Sequence, residues 1–137
     1  MDIYTEKIFG SLNYNILNTK LAVSKNDPAI CNGAYYKNDV FIGGGEKKDK
    51  YTCYRAVAVK NNNESACNYM QSQLKDDCLL TVGQQNTNSD ACANIQDSIK
   101  KGQCYGFYAE ENRNLSFCDN LSGGGKDICY LDYKSFI

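Results

Sequence analysis

Eight cysteines stand at positions 31, 53, 67, 78, 92, 104, 118 and 129, and from Cys53 onward their separations run 14, 11, 14, 12, 14, 11. Two alternating spacings divide them into two kinds. Those of the first kind, A, are Cys53, Cys78, Cys104 and Cys129, which recur every 25 or 26 residues; Cys67, Cys92 and Cys118 are of the second kind, B. A fixed period of this size is the signature of stacked supersecondary units, each too small to bury its own apolar face.

Other residues keep step with the cysteines. Lysine stands three before each A cysteine (Lys50, Lys75, Lys101, Lys126), and tyrosine follows three of the four (Tyr54, Tyr105, Tyr130, with Leu79 the exception). Five after the A cysteine comes a small residue, Ala58, Gly83 or Ala109, suited to close helix contact. Asparagine stands four before each B cysteine (Asn63, Asn88, Asn114), and an apolar residue three after it (Met70, Ile95, Leu121). Asparagine is a favoured N-cap because its side-chain oxygen accepts an otherwise orphaned backbone N–H, so a B helix starts just after each one. The frame reaches back to Asp27-Pro28, a cap and first helical residue four before Cys31. Cys31 is therefore a B cysteine. The A position before it falls at Leu17, where the cysteine is missing, and Ala22 stands five further on.

The frame predicts the pairing. Joining each A cysteine to the B of its own unit leaves Cys31 and Cys129 without frame partners. Joining each B to the next A uses all eight: Cys31–Cys53, Cys67–Cys78, Cys92–Cys104 and Cys118–Cys129. Helices of about ten residues are marginal alone, and each bridge across about 11 residues contributes somewhat under 3 kcal/mol through loop entropy. The expected fold is all-α: a short right-handed array of helical hairpins, an α-solenoid, stapled by four disulfides. One domain covers 1–137, with a degenerate first hairpin at 14–36, a loop insertion at 37–49, and regular repeats with a final capping helix at 50–136. The insertion carries Gly43-Gly44-Gly45. A second run, Gly123-Gly124-Gly125, reads as a helix stop before a last A helix of about 126–135.

The repeated Cys-Tyr-x-x-x-Ala, followed by Asn/Asp-x-x-x-Cys-x-x-Ile, resembles cysteine-rich helical-repeat segments of secreted archaeal and bacterial proteins, mostly of unknown function. The architecture is similar to tetratricopeptide and Sel1-like helical-hairpin arrays, though the period is shorter. The resemblance spans about residues 14–136. It implies a binding or scaffolding surface and brings no catalytic residues.

So dense and even a set of cysteines fits an oxidising compartment, hence an extracellular or cell-surface protein. Met1 to Lys20 lacks the apolar core of a signal peptide, so the expectation is a mature form. No apolar run approaches the roughly 18–20 residues that span a bilayer. Lys plus Arg number 15 against 16 Asp plus Glu, with neither sign in a block. Nucleic acid is discounted, since a basic face supplies most of such affinity.

There is no histidine, which removes the commonest general base and every His-assisted nucleophile. Zinc sites use closely spaced cysteine pairs and none here is nearer than 11, so neither a metal nor a cofactor is expected. Glu110 with Glu111, or Asp76 with Asp77, could serve a hydrolase only if other acids joined them, because neighbours on a helix diverge by about 100°. Gly123-Gly124-Gly125-Lys126 lacks the rest of a phosphate loop. Asn63, Asn114 and Asn120 each open an Asn-x-Ser glycosylation pattern; for the first two, capping is a sufficient explanation. Eleven tyrosines are many for this length. Tyr54, Tyr105 and Tyr130 read as packing, whereas Tyr35, Tyr36, Tyr108 and Tyr133, with Tyr51 and Tyr69, could furnish a surface for protein or sugar. The repeat-phased lysines read as solvated loop positions. The expected function is a non-enzymatic, extracellular interaction or scaffold module with a protein or glycan partner. The alternatives are a self-assembling subunit of a filament or surface layer, through the apolar C-terminal segment around Leu131, Phe136 and Ile137, and a small carboxylate-dependent hydrolase.

Overall fold

The computed structural model describes residues 17–33 and 45–135, and side chains within 17–33 and 50–131. Tyr35, Tyr36 and the insertion up to residue 44 lie outside the described residues. Long and short helices alternate. The long ones are α1 (17–25), α2 (Gly45–Lys60), α3 (Ser72–Gln85), α5 (Ser98–Asn112) and α7 (Gly123–Ser135). Between them come a 3-10 helix at Pro28–Gly33, another at Glu64–Tyr69, and the short helices α4 (Ser89–Ala93) and α6 (Ser116–Asp119). No strand occurs among the described residues. The B segments are thus one turn or so in length, two of them 3-10, which is as much helix as four to six residues can make.

Two boundaries differ from the sequence reading. Helix α2 begins at Gly45, so 45–49 is helical rather than loop. Helix α7 begins at Gly123, so the second glycine run is its first turn and not a stop. The reason is packing. A Cβ on Gly125 would lie 2.3 Å from the Ser98 carbonyl oxygen, and one on Gly102 would lie 2.1 Å from that of Gly125. Helices α5 and α7 cross backbone to backbone there, a contact only glycine admits.

Each long helix from α1 to α5 leaves its last turn in a related way, except that α1's counterpart residues lie before the insertion. Asn26, Asn62, Thr87 and Arg113 have φ of 50°, 50°, 51° and 48°, the left-handed region. This reverses the chain, and the next backbone N–H (Asp27, Asn63, Asn88, Asn114) reaches back to the carbonyl of Ala22, Ala58, Gly83 or Ala109 at 2.8–3.1 Å. That is a Schellman-type stop, satisfying carbonyls the helix leaves open. The residue that makes it then starts the short helix. Asn88 Oδ1 accepts from the N–H groups of Asp90 and Ala91, Asp27 Oδ1 from Ala29, and Asn114 Oδ1 from Ser116. Asn63 instead accepts from the Ser65 hydroxyl and donates to Asn26 Oδ1 at 2.9 Å. At Asp27, Asn88 and Asn114 one residue therefore ends a long helix with its backbone and turns the chain into the short one with its side chain.

The chain forms two compact units, residues 1–69 and 70–137. In the first, Cys31 and Cys53 are bonded with Cα atoms 5.7 Å apart, and Val57, Ala58 and Ala66 are buried. Tyr54 is buried, stacks on Tyr69 with ring centroids 5.2 Å apart, and donates its hydroxyl proton to Asn32 Oδ1. Asn61 Nδ2 donates to the Val23 carbonyl at 3.0 Å, and Asn18 Nδ2 to that of Ile30 at 2.9 Å, so side-chain amides tie the helix ends together.

In the second unit α5 packs against α3, α4, α6 and α7. Disulfides join Cys92 to Cys104 and Cys118 to Cys129, with Cα separations of 5.4 and 5.6 Å. Leu79, Val82 and Ile95 are buried in this unit, each side chain contributing roughly 1.5–3 kcal/mol. Gly83 touches the first bridge: a Cβ there would lie 2.3 Å from Cys104 Sγ. Around the second, Ala109 is buried under the half-buried Tyr105, Phe117, Leu121 and Tyr130. Cys67 and Cys78 are each disulfide-bonded too, and no described cysteine is free.

Candidate functional site

The second unit holds a cleft of about 330 Å³ where the start of α5, the link from α6 to α7 and the first turn of α7 converge. Its lining comes from three short stretches. Gln96 and Ser98 stand at the start of α5, with Lys101 and Tyr105 following on the same helix. Residues four apart lie on one helix face, so Lys101 and Tyr105 present side by side. Phe117 comes from α6; Asn120, Leu121 and Ser122 form the link; Gly125 is the buried residue in the first turn of α7. The lining thus holds two aromatic rings, one of them a phenol, two amides, two serine hydroxyls and one ammonium, and no carboxylate.

The aromatic side is held rigidly. Phe117 meets Tyr108 edge to face, with centroids 4.6 Å apart at 82°, and both Phe117 and Tyr105 pack on the cluster around Cys118–Cys129. Burial pushes the Tyr105 phenol above its ordinary value, and the nearby negative charge of Asp90 adds to this. The phenol therefore stays protonated and able to donate a hydrogen bond across the physiological range. Tyr130 is raised as well, first because its hydroxyl donates to the Asp119 carboxylate, then by desolvation and by that same charge.

Asp76 and Asp77, considered for hydrolysis, have other partners. Asp76 is 6% exposed, and its two oxygens accept from the backbone N–H groups of Gln96 and Asp97 at 3.0 and 3.1 Å. It clamps the segment that leads into α5 and places a negative charge at that helix start, where it is favoured. Its neighbour Asp77 pairs instead with Lys100, Oδ1 to Nζ 2.7 Å. Glu110 is half-buried and Glu111 exposed near the end of α5, away from the cleft lining. Among the described residues no cluster of three His, Cys, Asp or Glu side chains could hold a metal ion.

Of the tyrosines read as surface residues, Tyr108 is half-buried against Phe117, Tyr51 is half-buried and Tyr69 is exposed and stacked on Tyr54. Tyr133 lies in α7 with its side chain outside the description, as Tyr35 and Tyr36 lie outside it altogether. The phased lysines Lys50, Lys75, Lys101 and Lys126 are half-buried residues of helices rather than solvated loop residues, because each falls in the part of an A helix that leads to its cysteine. Of the glycosylation acceptors, Asn63 and Asn114 use their side chains in the turns described above, whereas Asn120 is exposed at the cleft. Gln96, Ser98 and Phe117 carried no signal in the sequence. Lys101 and Tyr105 did, as phased residues four apart.

Comparison with family models, curated proteins and solved structures finds no match to this chain.

Proposed function

We propose that the protein is an exported, non-enzymatic interaction module: a short right-handed array of helical hairpins that presents its surface to a protein or glycan partner. The observation that carries this reading is the use of every cysteine in a disulfide, with all eight buried. A chain held together in this way is suited to an oxidising setting outside the reducing cytosol. The absence of histidine and the structural engagement of Asp76 and Asp77 weigh against hydrolysis. No helix among the described residues is long and apolar enough to cross a membrane.

The test is to immobilise the oxidised protein and screen it against a panel of defined glycans and purified cell-surface proteins, beside a reduced and alkylated control. Saturable binding by the oxidised form alone is expected. Turnover of a glycoside or peptide substrate, or equal binding by the reduced form, would contradict the reading. Self-assembly is the second reading, favoured by Leu131, which stands 59% exposed on the C-terminal helix.

A further inference from the structure

We infer that the cleft of the second unit binds one sugar unit bearing a carboxylate, such as a terminal uronic acid. This deepens the reading of the protein as a binding module and rests on it. A volume of about 330 Å³ is at the small end of ligand sites, roughly 300–1,000 Å³, which suits one ring rather than a chain of several.

The lining chemistry matches the ligand part by part. A pyranose has faces of C–H groups and a rim of hydroxyls. The rings of Tyr105 and Phe117 offer flat apolar surface to the C–H face, and their packing against the Cys118–Cys129 cluster fixes them before a ligand arrives. The amides of Gln96 and Asn120 each offer both donors and an acceptor, and Ser122 a hydroxyl, the mixed set that sugar hydroxyls require. The protonated Tyr105 adds a donor.

Lys101 sets the charge. It is the one cation of the lining, and no carboxylate lines the cleft beside it, although acids slightly outnumber bases in the chain. Its ammonium can donate to a sugar carboxylate in a charge-assisted hydrogen bond. Asp90, whose charge reaches Tyr105, is not part of the lining.

The experiment uses the full oxidised chain made without N-glycosylation, so that Asn120 carries no glycan. Methyl glucuronide and methyl glucoside are titrated separately into ¹⁵N-labelled protein, and amide shifts are followed by NMR. The expected result is saturable shifts at Lys101, Tyr105 and Asn120 with the glucuronide, and binding weaker by about tenfold with the glucoside. Lys101→Gln should remove that difference, while Lys126→Gln, outside the lining, should keep it. Equal binding of the two sugars, or a preference untouched by Lys101→Gln, would overturn the assignment of a carboxylated ligand. Absence of cleft shifts with both would overturn the site itself. The module reading stands or falls separately, on the binding of cell-surface proteins and larger glycans in the immobilised screen.

Discussion

At Asn26, Asn62, Thr87 and Arg113 the backbone turns left-handed, and three residue types share this task. Asparagine tolerates the conformation; a β-branched threonine does so least. Thr87→Asn should therefore raise stability by about 1 kcal/mol, read as a higher urea midpoint with an unchanged slope; an unchanged midpoint would mean that Thr87 is unstrained. Asp76 acts in the opposite sense. Asp76→Asn turns one acceptor into a donor facing a backbone N–H, and should lower stability by about 2 kcal/mol. Tyr130 gives a pH dependence. Its folded-state phenol is raised above 10.0 by the hydrogen bond to Asp119, so the stability it contributes is complete below pH 10.0 and is lost as the pH rises through the folded-state value. In Asp119→Asn the tyrosinate absorbance of this residue should develop closer to 10.0. A titration identical to that of the parent would show that Asp119 does not hold the phenol.

The alternation of A and B segments was legible in the phase of the cysteines and asparagines, because capping chemistry is local and depends on residue type. Their lengths were not, for about ten residues each were expected where the A helices α2, α3, α5 and α7 run to 13–16 and the B segments to 4–6. The stop before each cap was not, since Asn, Asn, Thr and Arg share no feature that marks a left-handed residue. The helix starts explain part of the irregular spacing. Where 11 residues separate B from A, the long helix opens on a residue with positive φ, Ser72 at 51° or Gly123 at 59°; where 12 do, Asp97 caps α5 from an extended conformation. The glycine run misled because its meaning is tertiary: nothing local shows that Gly125 will meet Ser98 and Gly102. The same holds for the cleft, whose phased residues Lys101 and Tyr105 were visible while Gln96, Ser98 and Phe117 join them only through the fold. Gly102→Ala tests the crossing of α5 and α7. The added methyl has no room, and the variant should lose about 2–3 kcal/mol or more in denaturant unfolding, whereas the exposed, open Gly123 should accept an asparagine at little cost.

For the molecule as a whole, the buried disulfides place structure where a core this modest would otherwise be marginal. On the proposed reading, the disulfides hold the frame of each unit, and polar side chains with the cleft of the second unit do the recognising. The rival is that its meeting partner is itself, through the exposed Leu131. Light scattering of the oxidised chain on size exclusion, across a wide concentration range, separates the two. The binding-module account predicts a mass fixed at 15.3 kDa throughout, and growth with concentration into large or open-ended species would contradict it.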